Sequence, residues 1–373
     1  MRPAARRRAA APARLVRRGA VVTRTRSWTP ASRLFVLSDV GGWVLDEEAQ
    51  ELTRVASRLG YDVAPPAWAP YARGQAVFHT SHFDVLTPRW LDSSHRLGTS
   101  YFHGRPGTPD MPEFDRAYDA LRRRPERLTR VQVTHAEMHD LVLEAGVDPE
   151  RVFRIPIGID LAHFPLGDAD ARREARTLLG LPATAFVVGS FQKDGVGWGD
   201  GFEPKLVKGP DVLVAALDRL REQVSEVFVL LTGPARGYVR RELERRGIPH
   251  LHLLVDSRQQ LARAYQALDV YLIASRQEGG PKAALEAMAA GVPLVSTRVG
   301  QVPELVEHGR SAYLVDVDDA EALAAWAESV HRGPRDAAGL RASARRAAED
   351  HAHGRLDGSW AALLEDFVLR GPG

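Results

Sequence analysis

Cysteine is missing from this chain of 373 residues, which excludes disulfides, zinc–thiolate sites and a thiol nucleophile. No uninterrupted apolar run reaches the roughly 18 residues of a membrane-spanning helix, so cytoplasmic residence is the expectation. Lysine is nearly missing as well. Of 50 basic residues only Lys193, Lys205, Lys208 and Lys282 are lysines, and all four lie in or near two glycine-rich turns. A compact ammonium on a flexible stem suits a phosphate oxygen in a tight loop, where the wide guanidinium fork fits poorly. Lys205 reads as a loop charge without a further role.

Acids are absent from Met1 to Trp28, which holds nine arginines. This segment, residues 1–28, lacks the apolar core of a signal peptide and reads as a disordered basic tail. The alternative is peripheral contact with anionic headgroups at the inner membrane face. Nucleic acid is not expected as a partner. Elsewhere the composition, 44% hydrophobic and 26% charged, is that of an ordinary globular protein. The length calls for two domains.

Strands alternate with helices in both halves. The first half reads as strand Arg33 to Ser38, a Gly41-Gly42 loop, and a helix from Asp46 to Leu59. Strands follow near Ala76 to Thr80, Leu97 to Phe102, Arg130 to Thr134 and Val152 to Ile155, with helices at Pro112 to Arg123 and Ala136 to Ala145. After breakers between Leu161 and Thr184 the alternation restarts at Ala185 and runs to His331. Such alternation implies parallel sheets. The fold class is therefore α/β, two tandem Rossmann-like domains facing across a cleft. The expected divisions are 29–180 for the first domain and 181–350 for the second. Residues 351–373 carry a C-terminal crossover helix, Ser359 to Arg370, whose apolar stripe packs back on the first domain.

The richest segment runs from Ala274 to Glu286. An apolar strand, Asp269 to Ser275, leads into Gln277-Glu278-Gly279-Gly280-Pro281-Lys282 and a helix over Ala283 to Ala290, stopped by Gly291 and Pro293. Pro281 suits the first helical position. Unpaired N–H groups and the positive dipole end at that helix start form an anion site at the carboxyl edge of the sheet. Glu278 and Glu286 flank it, and carboxylates accept hydrogen bonds from sugar hydroxyls in pairs.

Glu278-Gly279, then Glu286-Ala287-Met288-Ala289, Gly291 and Pro293, resemble the E-x7-E signature of the family 4 retaining glycosyltransferases of GT-B fold. Lys193 and Lys208-Gly209 resemble that family's two phosphate-contacting positions. Tyr101-Phe102-His103-Gly104 is similar to its strand-end histidine, Thr134 to Asp140 to the next strand-to-helix step, and Ile155 to Asp160 to the passage out of the first domain. Pro281 replaces a common glycine and removes one N–H, which Lys282 offsets with a charge. Gly280 replaces a common aromatic residue and leaves the sugar subsite less walled.

This resemblance implies a metal-independent hexosyltransferase taking a nucleoside diphosphate sugar as donor and needing no cofactor. Glu286 would hold the ribose, Val255 and Asp256 would border the base, and Lys193, Lys208 and the N–H groups of Gly279, Gly280 and Lys282 would take the diphosphate. Glu278 would touch the transferred sugar. His103 would orient sugar or acceptor, or else be a histidine satisfied by backbone. On the acceptor side lie Gly41, Gly42 and His135, the glycines either admitting substrate or relieving crowding. The acceptor itself, a saccharide, lipid-linked or small molecule, has no readable code. Two alternatives are a nucleotide-sugar epimerase of the same architecture and a non-catalytic nucleotide-sugar-binding protein.

Overall fold

The computed structural model describes residues 32–39, 44–333 and 337–370. The expectations for the 1–28 tail and for Gly41 and Gly42 fall outside these residues. Two sheets of six parallel strands stand in tandem. The first contains β1 (Leu34–Leu37), β2 (Val63–Ala64), β3 (Ala76–His79), β4 (Arg96–Ser100), β5 (Leu128–Val133) and β6 (Val152–Arg154), in the order β2-β1-β3-β4-β5-β6. The second contains β7 (Phe186–Ser190), β8 (Val227–Thr232), β9 (His250–Leu253), β10 (Val270–Ile273), β11 (Leu294–Thr297) and β12 (Tyr313–Val315), in the order β12-β11-β10-β7-β8-β9.

Central strands such as β10, Val-Tyr-Leu-Ile, are buried throughout, because helices cover both faces of a parallel sheet. Strand order reverses between β7 and β10 in the second sheet and between β1 and β3 in the first. A crevice opens beyond the carboxyl ends of the strands at such switch points.

The boundary between the domains lies earlier than residue 180. Helix Ala169–Leu179 packs Ala175 into the second core, with Phe164 and Leu181. Buried Arg176 donates from Nε to the carbonyl of Ala267 at 2.9 Å. The segment has enough apolar surface to join that core, so it is part of the second domain and not a linker.

The carboxyl-terminal region also differs from expectation. Helix Ala337–Asp350 packs on helix Lys282–Ala290 of the second domain. The chain then crosses back beside the outward passage, where Ile159 donates to His351 O at 3.0 Å and His353 donates to Ile159 O at 3.1 Å. The last helix is His353–Leu364, so it begins and ends six residues before the expected span. It packs against helix Val44–Arg58 and places Trp360, Leu363 and Leu364 in the first core. Phe367 and Val368 are buried beyond its end, where Asp366 turns with φ 57°.

The domains touch directly. Thr134 Oγ1 donates to Gly279 O at 2.7 Å, and the amide of Gln301 pairs with Ile157 through contacts of 2.8 and 3.2 Å. Among the described residues no helix is long and apolar enough to cross a membrane.

Candidate functional site

The segment after β10 and the turn before helix Pro210–Gln223 build one corner of the interdomain crevice. Gly209 makes the turn at φ +60°, and a Cβ there would sit 1.9 Å from the carbonyl oxygen of Ala274. Only glycine lets the two loops come this close. The approach brings Lys208 Nζ to 2.6 Å from Glu278 Oε2, while Ser275 Oγ donates to Glu278 Oε1 at 2.9 Å. The Lys208 and Glu278 side chains are only 20% and 11% exposed.

Glu278 thus reaches the site through Lys208. Helix Lys282–Ala290 has Pro281, expected at its first position, as its cap at ψ 103°. Proline suits either place, since neither uses an N–H. None of the described hydrogen bonds uses the N–H groups of Gly279, Gly280, Lys282 or Ala283, so the helix start offers free donors and a positive dipole end.

Glu286 lies on the buried side of that helix. It accepts from the Tyr265 hydroxyl at 2.8 Å and faces Arg258 at 3.4 Å. Burial raises its pKa against the opposing pull of Tyr265 and Arg258. Arg258 and Lys282 both pair with Glu47, which comes from helix Val44–Arg58 of the first domain. Glu47, Arg258 and Tyr265 escaped sequence reading because their partners are brought in by the other domain or by a neighbouring helix. Val255 is half-buried and Asp256 exposed just beyond β9, where the Asp256 N–H donates to Gln260 Oε1 at 2.8 Å.

Three lysines gather here. Lys193 Nζ sits over the Trp198 ring at 4.2 Å. Lys205, read from sequence as a loop charge, is desolvated beside Lys208 and Lys193. Burial chiefly, then the charge of Lys208, holds its pKa below the ordinary lysine value. Among the described residues neither Lys193 nor Lys205 makes an ion pair.

The glycines of the motif also serve packing. A Cβ on Gly279 would lie 2.5 Å from Phe102 Cβ, and one on Gly280 would lie 2.7 Å from the Gln301 amide. Gly280 is packed against Gln301 and Ile157, so a side chain there would have to displace them.

Across the crevice, His103 packs edge-on to Phe114 at 5.4 Å and to Phe83 at 6.0 Å. Burial, and then the charge of Lys208, depress its pKa well below the usual value, so the imidazole is neutral at pH 7 and can accept a hydrogen bond from a hydroxyl. His135 stands just before helix Ala136–Glu144, its Nδ1 2.8 Å from Thr134 Oγ1, next to the contact with Gly279. At the ends of β1 and β3, Asp39 and Asp84 share a hydrogen bond. Burial, then Asp84, pushes Asp39 up to about 6.

A cavity of about 360 Å³ lies elsewhere, lined by Asp168, Arg172, Asp269 and Arg341. It opens at the amino edge of the second sheet, away from the switch-point crevice.

Comparison with known proteins points to the same half of the molecule. The family model described as "Glycosyl transferases group 1" matches residues 201–332. The D-inositol 3-phosphate glycosyltransferase of Xylanimonas cellulosilytica is 36% identical over 241 residues, 60% of this chain and 54% of that protein. The protein of the same name from Corynebacterium efficiens is 31% identical over 208 residues, 53% and 46% of the two chains. This chain spans about half the length of these curated relatives.

Among solved structures, Anabaena Alr3699/HepE in complex with UDP-glucose superposes with a TM-score of 0.71 at 17% identity, covering 90% of this chain and 100% of that one. Sucrose-phosphate synthase from Thermosynechococcus elongatus gives 0.68 at 17% identity, covering 90% and 98%. Two parallel six-stranded sheets facing one crevice are the GT-B arrangement of these structures.

Proposed function

We propose that this protein is a retaining glycosyltransferase that moves a hexosyl group from a nucleoside diphosphate sugar to a hydroxyl of an acceptor held by the first domain. The observation that carries this reading is the convergence of Lys208, Glu278, two lysines without acid partners and a free helix start beyond the ends of β7 and β10. Such a site suits a doubly charged leaving group. As the glycosyl–oxygen bond breaks, its electron pair stays on the diphosphate, whose charge grows. Cations and N–H groups fixed in advance therefore stabilise the transition state more than the ground state. Their charge is the basis for assigning a mechanism without a divalent cation.

Glu286, hydrogen-bonded by Tyr265 and facing Arg258, offers its carboxylate to the ribose hydroxyls, and the segment at Val255 and Asp256 borders the base. Glu278 holds Lys208 and faces the transferred sugar. Neutral His103 stands on the opposite wall as an acceptor for a sugar or substrate hydroxyl.

UDP is the first nucleotide to test, since the solved structures of similar fold named above include a UDP-glucose complex. A panel of nucleotide sugars would be incubated with and without candidate acceptors in EDTA, and products resolved by NMR. The expected result is acceptor-dependent release of nucleoside diphosphate and a glycoside with the donor's anomeric configuration. An altered sugar released without acceptor would identify an epimerase, and absence of any nucleotide binding would leave a protein without this chemistry.

A further inference from the structure

The second domain contains a hairpin that the donor-site reading does not use. Between Lys193 and Lys205 the chain folds back on itself, with an antiparallel bridge between Gly195 and Pro204 and a hydrogen bond from Val196 N to Glu203 O of 2.9 Å. Its stem joins the lysines through the main chain. Lys205 N donates to Asp194 O at 2.8 Å, next to Lys193, and Lys208 N donates to Lys205 O at 2.8 Å. The three ammonium stems therefore spring from one hydrogen-bonded scaffold.

That scaffold is fixed to the sheet. Asp194 pairs with Arg236 at 3.0 Å, and both side chains are fully buried. Arg236 also donates to the carbonyls of Ser190 at 2.5 Å and Thr232 at 3.1 Å, at the ends of β7 and β8. Gly195 and Gly201 press on the backbone of Ala235, where a Cβ on either would meet its carbonyl oxygen at 2.3 Å. A buried ion pair of this kind fixes a geometry at an energetic cost, and here the geometry it fixes is the placement of lysines.

Lys205 is half-buried in the loop before Lys208. It feels the charges of Lys208, Glu278 and Lys193 as well as that of Glu113 from the first domain, and it has no ion-pair partner among the described residues. Arginine fills nearly every other basic position in the chain, but a lysine stands here.

We infer that Lys205 is a third phosphate-binding cation of the donor site, positioned by a hairpin whose stem is locked through Asp194 and Arg236. This rests on the donor-site reading above and adds to it a residue and a device. With Lys208 balanced by Glu278, Lys193 and Lys205 supply the two uncompensated charges that match a diphosphate.

The test compares Lys205→Met, Lys205→Arg and Lys208→Met in the full chain by calorimetry with UDP, inorganic pyrophosphate and uridine, alongside melting temperatures. Lys205→Met is expected to weaken UDP and pyrophosphate by the same factor, about tenfold, with uridine binding and melting temperature unchanged. Lys205→Arg recovers most of the loss. Lys205→Gln replaces Lys205→Met should the latter not fold. The inference is overturned if Lys205→Met binds UDP and pyrophosphate within about twofold of the parent while Lys208→Met is weakened. Normal UDP affinity in both variants would overturn the donor-site reading itself.

Discussion

The two sheets turn their carboxyl edges toward one crevice, yet the two edges are built from opposite charges. On the second domain Lys193, Lys205 and Lys208 cluster around one carboxylate, Glu278. On the first domain Asp39 and Asp84 share a hydrogen bond above His79 and His82, which burial keeps neutral. Under the function proposed above, this difference is a division of labour: the cationic edge would take an anion whose charge grows during transfer, and the acidic edge groups that donate hydrogen bonds.

Several substitutions would sharpen or break this contrast. Glu278→Gln is expected to have the largest effect, lowering kcat about a hundredfold. UDP binding, followed by calorimetry, should tighten in the same variant because a negative charge beside Lys208 is gone. Weaker UDP binding would show that Glu278 serves the nucleotide and not the sugar. Lys208→Met comes next, with UDP affinity falling about thirtyfold, or about 2 kcal/mol, since it also leaves Glu278 facing the phosphates alone.

A third comparison sets two buried acids side by side. Glu286 in the second domain has a tyrosine and an arginine, whereas Glu48 in the first has mainly the Gln132 amide at 3.2 Å, and burial pushes it up to about 8. The folded protein therefore holds a proton on Glu48 that the unfolded chain releases above its ordinary value of 4.5. Stability from this group is full below that value and declines as pH rises toward about 8. Melting midpoints recorded from pH 5 to 8.5 should fall in the parent and flatten in Glu48→Gln; parallel curves would remove the assignment. The smallest effect is expected from Asp84→Asn, which should change UDP affinity less than about twofold while shifting acceptor KM. A large loss of UDP binding there would erase the distinction between the two edges.

Much of the second domain was legible in the sequence for local reasons. Helix Pro210–Gln223 announces itself by proline at its first position, and the motif segment combines a buried strand, a glycine turn and an alanine-rich helix. Helix Ala337–Asp350 was not read. Its buried stripe is Leu340, Ala344 and Ala348, so small side chains give a weak periodic signal. The strand Val63–Ala64 is too short for alternation to register. The hairpin that links Lys205 to Lys193 and Lys208 through the main chain is closed by contacts that spacing along the chain does not show. Glu47 and Gln301 act only across the domain boundary, where spacing along one segment says nothing.

The return of helix His353–Leu364 to the first domain has a consequence for biogenesis. The core built around Phe78 and Val36 waits for Trp360, Leu363 and Phe367, whereas the buried residues of the second-domain cores run no further than Ala348. On a ribosome, the half that emerges first is thus the last to be finished. A translation product halted at Asp350 would carry a packed second sheet beside an unroofed first one, so losing helix His353–Leu364 would be felt at β1 and β3.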